Sequence, residues 1–312
     1  MPNDRLSEVL EFIEVRSVIS GGVAVNGPWE ARADVGEELK FCAMVQGEAR
    51  LTTNGIEAPI QLRAGDVALL NARAWLALRG GIDQGAPVAV DPPSSGSITR
   101  IDDADLRTAD VFVGGQVELN PTGKELLLQA LPPVAHVRSS AAAAPHLRGH
   151  LDRLFKETVE NQVGSDFAIR QYGQLLLLEV LRGFMREADV PIGWLKVLAD
   201  ERLRPALTLI HEQPAKAWSL EDLARAAAMS RTAFAERFRE VAGAPPLSYL
   251  INWRMLLAQR ELRSADTRIR PLALQLGYSS ESAFSTAFKR NVGESPQHYR
   301  SRVRREAQLQ EG

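Results

Sequence analysis

The C-terminal third of the chain contains one pattern of residues twice, and this repeat constrains the fold more than any other feature of the sequence. Each copy has a Leu-Ala pair, a serine, two phenylalanines four residues apart, a glycine, a proline and a tyrosine. The first copy comprises Leu223-Ala224, Met229-Ser230, Phe234, Phe238, Gly243, Pro246 and Tyr249, and the second comprises Leu272-Ala273, Tyr278-Ser279, Phe284, Phe288, Gly293, Pro296 and Tyr299.

Each copy carries the sequence signals of a helix-turn-helix. First helices are predicted over 220–227 and 271–276, where Ser219 and Asp222 have capping-box spacing and Pro271 suits a first turn. After a tight turn, Ser230 or Ser279 is expected to cap the second helix. That helix should end at Gly243 or Gly293, because a glycine followed by proline stops a helix. A joining helix is expected over 247–262.

Helical geometry then selects the residues that face away from the phenylalanines. At about 100° per residue these side chains point outward, so polar members can contact base edges and cationic members can contact phosphates. Arg254, on the joining helix, is also expected to contact phosphate. The alternative is an ordinary solvated face. The outward residues are Arg231, Thr232, Ala235, Glu236 and Arg239 in the first copy, and Glu281, Ser282, Ser285, Thr286 and Lys289 in the second.

The net charge of −2 for the 312 residues hides two regions of opposite sign. Residues 207–312 contain 16 basic and 11 acidic residues, and the rest of the chain contains 21 basic and 28 acidic residues. The repeat region is therefore basic, as a DNA-binding region requires, and the remainder is acidic.

The N-terminal part has a different pattern, with short apolar runs separated by turn residues from about 18 to 113. Asn54-Gly55 is a strong hairpin signal, and the region is predicted to form an all-β barrel or sandwich. Beyond a polyalanine segment at 141–144, apolar residues recur with helical spacing and predict two helices. The second, around 169–181, is apolar on much of its circumference, so it packs within its own domain or meets a second subunit.

These residues carry a resemblance to a known family. The stretch from Leu220 to Met255 and the stretch GYSSESAFSTAFKR with the following Gly293, Pro296 and Tyr299 resemble the DNA-binding region of the AraC/XylS transcription regulators. The N-terminal part is similar to the cupin-type sensing domain of some members. The residues of that second likeness are Val45-Gln46-Gly47, the turn Leu62 to Asp66, Leu131-Pro132-Pro133 and His136-Val137.

The resemblance implies a one-component regulator in three parts. These are an all-β cupin-like sensing barrel over 1–140, a helical linker and dimerisation segment over 141–198, and an all-α tandem helix-turn-helix domain over 199–312. The partners it implies are double-stranded promoter DNA, a second copy in a homodimer, a small-molecule effector and, for an activator, RNA polymerase. No cofactor is expected.

Cupin barrels are often metalloenzymes, so a metal-dependent enzyme is the second hypothesis. Such a site needs two or three imidazoles and a carboxylate inside the barrel. The five histidines begin at His136, beyond the expected barrel strands, and the spaced pair His146 and His150 has no evident third ligand. No metal site is therefore predicted. A third hypothesis is an interaction module without DNA contact.

An effector pocket would be lined by apolar residues that point into the barrel. The candidates are Phe41, Met44, Leu69 and Trp75, although a barrel core needs the same residue types. Cys42 is either a redox sensor or a small buried hydrophobe. A single cysteine, an acidic start and no apolar run of membrane length predict a cytoplasmic protein without membrane contact.

Overall fold

The computed structural model describes residues 4–13, 15–17, 21–35, 39–81, 85–91, 98–140, 146–186, 191–263 and 267–310. The chain forms two compact units. One contains residues 13–191, and the other contains residues 192–312 together with residues 1–12.

The unit formed by residues 13–191 is built on two sheets. The strands are β1 Val15–Ser17, β2 Gly21–Val25, β3 Trp29–Asp34, β4 Leu39–Gln46, β5 Glu48–Thr53, β6 Ile60–Arg63, β7 Val67–Asn71, β8 Trp75–Gly80, β9 Val88–Val90, β10 Ile98–Arg100, β11 Asp110–Leu119 and β12 Val134–Val137. The first sheet has the order β10-β2-β11-β4-β7-β12, with β1 paired to β11, and the second has the order β6-β5-β8-β3-β9. Most neighbouring strands are antiparallel, but β10 pairs parallel with β2 and β9 with β3, so both sheets are mixed.

The core lies between the two sheets and follows the alternation of strand residues. Met44 and Leu70 from the first sheet meet Leu51, Leu62 and Leu78 from the second. Because successive side chains of a strand point to opposite faces, residues next to these in sequence face away from the core. The predicted β-rich cupin-like domain is confirmed, with Asn54-Gly55 at the turn after β5.

The described residues of this unit also form the α-helices α2 Pro121–Ala130, α3 Leu147–Glu160 and α4 Ser165–Arg186. The two helices predicted from apolar spacing are α3 and α4, which pack against each other. At Gly183, α4 lies so close to β12 that an added Cβ would be 3.1 Å from Val137. Both helices therefore pack with the β-rich unit, whereas the predicted division placed them in a segment of their own. The polyalanine segment at 141–144 lies outside the described residues.

The other unit is helical. Its helices are α1 Arg5–Leu10, α5 Trp194–Ala199, α6 Arg204–Glu212, α7 Leu220–Ala226, α8 Arg231–Ala242, α9 Pro246–Arg263, α10 Ile269–Gln275, α11 Glu281–Val292 and α12 Pro296–Gln310. A short 3₁₀ helix at Ile101–Asp103 belongs to the β-rich unit. None of the described helices is long and apolar enough to cross a membrane.

The N-terminal helix α1 packs on the C-terminal helices, a long-range contact that the predicted domain boundaries did not include. Glu8 Oε2 lies 2.9 Å from His211 Nδ1, and the Tyr249 hydroxyl lies 3.1 Å from His211 Nε2. The His211 ring stacks on Trp253 with 3.9 Å between centroids. Burial, with the nearby positive charge of Arg5, lowers the pKa of His211 to about 3. A neutral imidazole therefore donates to Glu8 and accepts from Tyr249.

Candidate DNA-binding surface

The first helix-turn-helix comprises α7, a turn and α8. The predicted capping box is present, because the Ser219 hydroxyl accepts from the Asp222 N–H and the Asp222 carboxylate accepts from the Ser219 N–H. Ser230 caps α8, which ends at Gly243 with a φ of 70°. These local signals, read from the sequence, therefore set the ends of both helices.

The second motif comprises α10, a turn and α11. Its N-cap is Ser280, whose hydroxyl accepts from the Ala283 N–H at 3.1 Å, and the prediction of Ser279 was one residue early. Sequence spacing could not separate two adjacent serines, since either can accept such a bond. Helix α11 ends at Gly293 with a φ of 91°, as predicted.

The turns of the two motifs use the same backbone geometry with different residues. Met229 N donates to Ala224 O at 3.0 Å, and Tyr278 N donates to Ala273 O at 2.9 Å. The residue before each donor has a positive φ, 51° at Ala228 and 82° at Gly277. The first motif therefore places an alanine where the second has the glycine that this conformation favours.

The phenylalanine pairs fix which face of α8 and α11 points outward. Phe234 and Phe238 are fully buried, with centroids 5.7 Å apart, and the Phe284 and Phe288 centroids are also 5.7 Å apart. In each motif the second ring meets a tyrosine of the following helix edge to face, at 5.5 Å in one and 5.6 Å in the other. The sequence repeat is therefore a duplicated packing unit.

The structure places the predicted reading residues on the outer faces of α8 and α11. Two of them, Ala235 and its counterpart Ser285, are half-buried near the phenylalanines, and the others are exposed. The exposed residues are Arg231, Thr232, Glu236 and Arg239 in α8, and Glu281, Ser282, Thr286 and Lys289 in α11.

The cationic side chains of these faces have no acidic partner among the described residues. Arg231, Arg239 and Lys289 are exposed and lie more than 4 Å from every described carboxylate. Arg290 has the same properties beside Lys289, and sequence reasoning missed it because it lies at the edge of the predicted face. These charges are available to pair with phosphate.

Arg254 lies elsewhere, and its surroundings argue against the expected contact with phosphate. The side chain is buried in α9, where Nε donates to Pro214 O at 2.6 Å and Nη2 donates to Lys216 O at 3.0 Å. Its Cζ also lies 5.6 Å from the Tyr278 ring centroid. Burial lowers the pKa of the guanidinium. Spacing along a helix could not reveal this, because the carbonyls come from a distant loop.

These contacts join the two motifs. The loop that supplies Pro214 O and Lys216 O precedes α7, whereas Tyr278 lies in the turn of the second motif, between α10 and α11. The same loop approaches Gly277 so closely that an added Cβ would lie 2.1 Å from Ala215 O. Arg254 and Gly277 therefore set how the second motif packs on the first.

The four predicted effector contacts do not line one space in the β-rich unit. Met44 faces the core between the sheets, whereas Phe41 and Leu69 are paired on the opposite face of the first sheet. Trp75 lies on the outer face of the second sheet, beneath Arg32 at 4.6 Å. The four residues therefore do not share one pocket in the structure, and sequence alone did not show which strand face each of them occupies.

Cys42 and His136 occupy different surroundings in the same unit. Cys42 is buried in the core, and burial raises the pKa of its thiol to about 12. His136 lies on β12, so one histidine does belong to a barrel strand, and its Nε2 is 3.3 Å from Asp66 Oδ2. Among the described residues, no three His, Cys, Asp or Glu side chains are grouped as metal ligands.

Comparison with known proteins identifies the family to which this arrangement belongs. Residues 4–186 match a family model described as Cupin, and residues 223–302 match one described as Helix-turn-helix domain. An AraC-like transcription regulator of Streptomyces lividans is 36% identical over 302 residues, covering 95% of this chain and 98% of that protein. The chain belongs to the AraC-like transcription regulators. A second such regulator, from Streptomyces antibioticus, is 35% identical over 303 residues, with coverages of 95% and 98%.

This AraC-like regulator binds DNA through the C-terminal motifs and has a cupin-like N-terminal domain, as predicted. Among solved structures, it is similar to the DNA-binding domain of AdpA, a global transcriptional factor, in complex with a target DNA. The identity is 34%, the TM-score is 0.33, and the match covers 34% of this chain and 96% of that one.

Proposed function

We propose that the regulator binds a specific promoter sequence as a homodimer, with α8 and α11 of each copy placed in major grooves. The observation that carries this proposal is the duplicated packing unit. Both motifs present the same helix face, with Arg231 and Arg239 on one and Lys289 on the other free of acidic partners among the described residues. Polar residues between these cations are within reach of base edges once the cations contact phosphate.

The dimer is supported by apolar side chains that α3 and α4 leave exposed. Val163, in the connection between these helices, and Phe167 and Leu175 of α4 are exposed in the chain described. Apolar groups gathered on one surface are typical of an interface. Phe167→Asp should therefore convert the dimer to a monomer in analytical ultracentrifugation, whereas Gln275→Asp, which places the same carboxylate at an exposed position of α10, should not.

The N-terminal domain is proposed to sense a small molecule. The dimer is proposed to act in the cytoplasm and, if it activates transcription, to contact RNA polymerase there. No catalysis is proposed, and the relatives are named transcription regulators. Metal analysis of the purified full chain tests this point. A stoichiometric transition metal would favour the metalloenzyme alternative.

Fluorescence anisotropy with the full chain tests the DNA-binding proposal. Its own upstream region should bind more tightly than a random duplex of equal length, and affinity should fall at least about a hundredfold between about 50 and 200 mM salt if several phosphates are contacted. Equal affinity for both duplexes would overturn sequence-specific binding.

Variants separate the roles of the exposed residues. Thr286→Ala should change base preference, whereas Arg239→Met should weaken all sequences and lower the salt dependence by about one ion. Arg107→Met, the same change at an exposed arginine of the β-rich unit, is the control and should leave DNA affinity unchanged. If Arg239→Met altered preference and Thr286→Ala did not, the assignment would be reversed.

A further inference from the structure

A cavity of about 510 Å³ lies on the second sheet of the β-rich unit. Its floor is formed by the outer face of β5, β6 and β8, and Arg50, Arg63 and Arg79 line it. These arginines alternate along their strands with Leu51, Leu62 and Leu78, which are buried in the core. The arginines therefore face away from the core and into the cavity.

The sheet register brings two of these positive charges together. Arg50 of β5 is directly opposite Arg79 of β8 in an antiparallel pair. Side chains in such a position have Cβ atoms about 5 Å apart, and like charges there destabilise the sheet. An anion held between the two guanidinium groups would replace repulsion with two attractive contacts.

The acidic residues of the described sheet do not neutralise these charges. Glu48 is opposite Arg63 and Glu30 is opposite Arg79, yet neither carboxylate lies within 4 Å of an arginine of the cavity. The Glu48 carboxylate instead accepts from Gln61 Nε2 at 3.2 Å. Among the described residues, the lining therefore has three guanidinium groups and one carboxylate.

One edge of the cavity is held by hydrogen bonds and close packing. Asp110 Oδ2 accepts from the Trp29 indole at 2.8 Å and from the Gly81 N–H at 3.0 Å. Gly81 has a φ of 67°, and a Cβ added there would lie 1.7 Å from Gly27 O. The edge at Gly81 thus requires glycine, and it keeps this side of the cavity in place without a ligand.

The space between the two sheets is much smaller. A cavity of about 40 Å³ lies beside Cys42, Leu78 and Phe112, and it accommodates about one water molecule. Sites for small organic ligands occupy about 300–1,000 Å³, so the cavity on the outer face is of that size and the inner one is not.

We propose that this basic cavity binds a small organic molecule with at least two anionic oxygen groups, carboxylates or phosphates, and that this molecule is the effector. The planar guanidinium groups of Arg50 and Arg79 match the two oxygens of such groups, and Arg63 supplies a third contact. The proposal rests on the proposed sensing function and replaces the apolar pocket expected from the sequence with a polar one.

Isothermal titration calorimetry on the full chain, with citrate and inorganic pyrophosphate as probes, tests the site. Saturable binding is expected, and Arg50→Gln or Arg79→Gln should weaken it by at least about tenfold, the value of one lost charged contact. Arg32→Gln is the matched control, because Arg32 lies on the same outer face but over Trp75. The relative affinity for citrate and pyrophosphate distinguishes a carboxylated effector from a phosphorylated one.

A thermal unfolding measurement gives a second, independent readout. Without an anion, Arg79→Gln should unfold at a temperature equal to or above that of the wild type, because the repulsion from Arg50 is removed. With citrate or pyrophosphate, whichever binds more tightly, the wild type should gain stability and the variant should not. A variant that is destabilised without an anion and stabilised normally with it would contradict the proposal.

The DNA-binding assay separates this inference from the proposed function. At constant ionic strength, the tighter-binding probe should change DNA affinity in the wild type and in Arg32→Gln but not in Arg79→Gln. No saturable binding of either probe, or equal loss in all three variants, would overturn the effector site while leaving DNA binding intact. A loss of DNA affinity in Arg79→Gln without any probe would assign the arginines to DNA phosphate and also overturn it.

Discussion

Replacement of Arg254 by methionine removes the guanidinium that joins the two helix-turn-helix motifs. Methionine preserves the long unbranched side chain, so the packing of α9 changes little, but Pro214 O and Lys216 O lose their donors. The contact with the Tyr278 ring is also lost. The substitution therefore tests whether Arg254 acts in the fold or on DNA.

The expected loss of stability follows from these contacts. A hydrogen bond to a charged group contributes about 1.5–3 kcal/mol, and a partly buried cation–π contact contributes about 1 kcal/mol. Removing a charge whose pKa is lowered by burial recovers part of this sum, because that charge was costly to bury. We expect a net loss of about 3 kcal/mol, which is a large fraction of the stability of a typical domain.

Hydrogen exchange followed by mass spectrometry on the full chain locates this loss. The Trp218 amide donates to Lys216 O and the Tyr278 amide donates to Ala273 O, so both report on the joint. A loss of about 3 kcal/mol corresponds to exchange about a hundredfold faster at these amides. Arg239→Met is the control. It removes an exposed arginine of α8 and should lower DNA affinity with no change in exchange.

The opposite pair of results would contradict a structural role for Arg254. If Arg254→Met left the exchange of both amides unchanged and weakened all duplexes as Arg239→Met does, Arg254 would be a phosphate contact. Arg254→Lys retains the positive charge but cannot donate to both carbonyls as the planar guanidinium does. The exchange rates of both amides should therefore lie between those of the wild type and of Arg254→Met.

Three further predictions concern the matched turn positions Ala228 and Gly277, the carboxyl group of Asp66 and the thiol of Cys42. Ala228→Gly should stabilise the protein by about 0.5–1 kcal/mol by relieving a positive φ, whereas Gly277→Ala should destabilise it by more than about 2 kcal/mol because its Cβ would collide with Ala215 O; denaturant titration measures both. Burial raises the pKa of Asp66, but hydrogen bonds from His136 and two backbone amides outweigh it and leave the pKa below its usual value. Asp66 therefore stabilises the fold above its unfolded pKa of about 4. Below that pH the free energy of unfolding should fall as the pH falls, and it should fall less steeply in Asp66→Asn than in the wild type. The Cys42 thiol, with a pKa of about 12, should react with iodoacetamide only on unfolding, and rapid labelling at neutral pH would contradict its burial.

Local interactions made much of the DNA-binding domain predictable. The capping box at Ser219, the phenylalanine pairs and the terminal glycines of α8 and α11 act within a few residues, and the structure has them as the sequence indicated. The outward residues follow from the same helical geometry. The cap at Ser280 was missed by one residue, since an adjacent serine offered the same chemistry.

Positions that depend on distant parts of the chain could not be predicted in this way. From the sequence, Arg254 is expected at the surface, but the loop before α7 supplies two carbonyl acceptors for it. Leu69 is expected to line a pocket, but strand register places it on the face of β7 that points away from the core between the sheets. The pairing of Arg50 with Arg79 likewise depends on how β5 meets β8.

The physical reason for this division is the range of the forces involved. Helix periodicity, capping and turn chemistry are encoded in neighbouring residues, so the repeat alone was enough to identify two DNA-reading motifs. Sheet register, burial of a charge and the approach of a loop are settled by packing between residues far apart in the chain. Tertiary structure therefore distinguished the arginines that remain free for phosphate from the one that holds the motifs together.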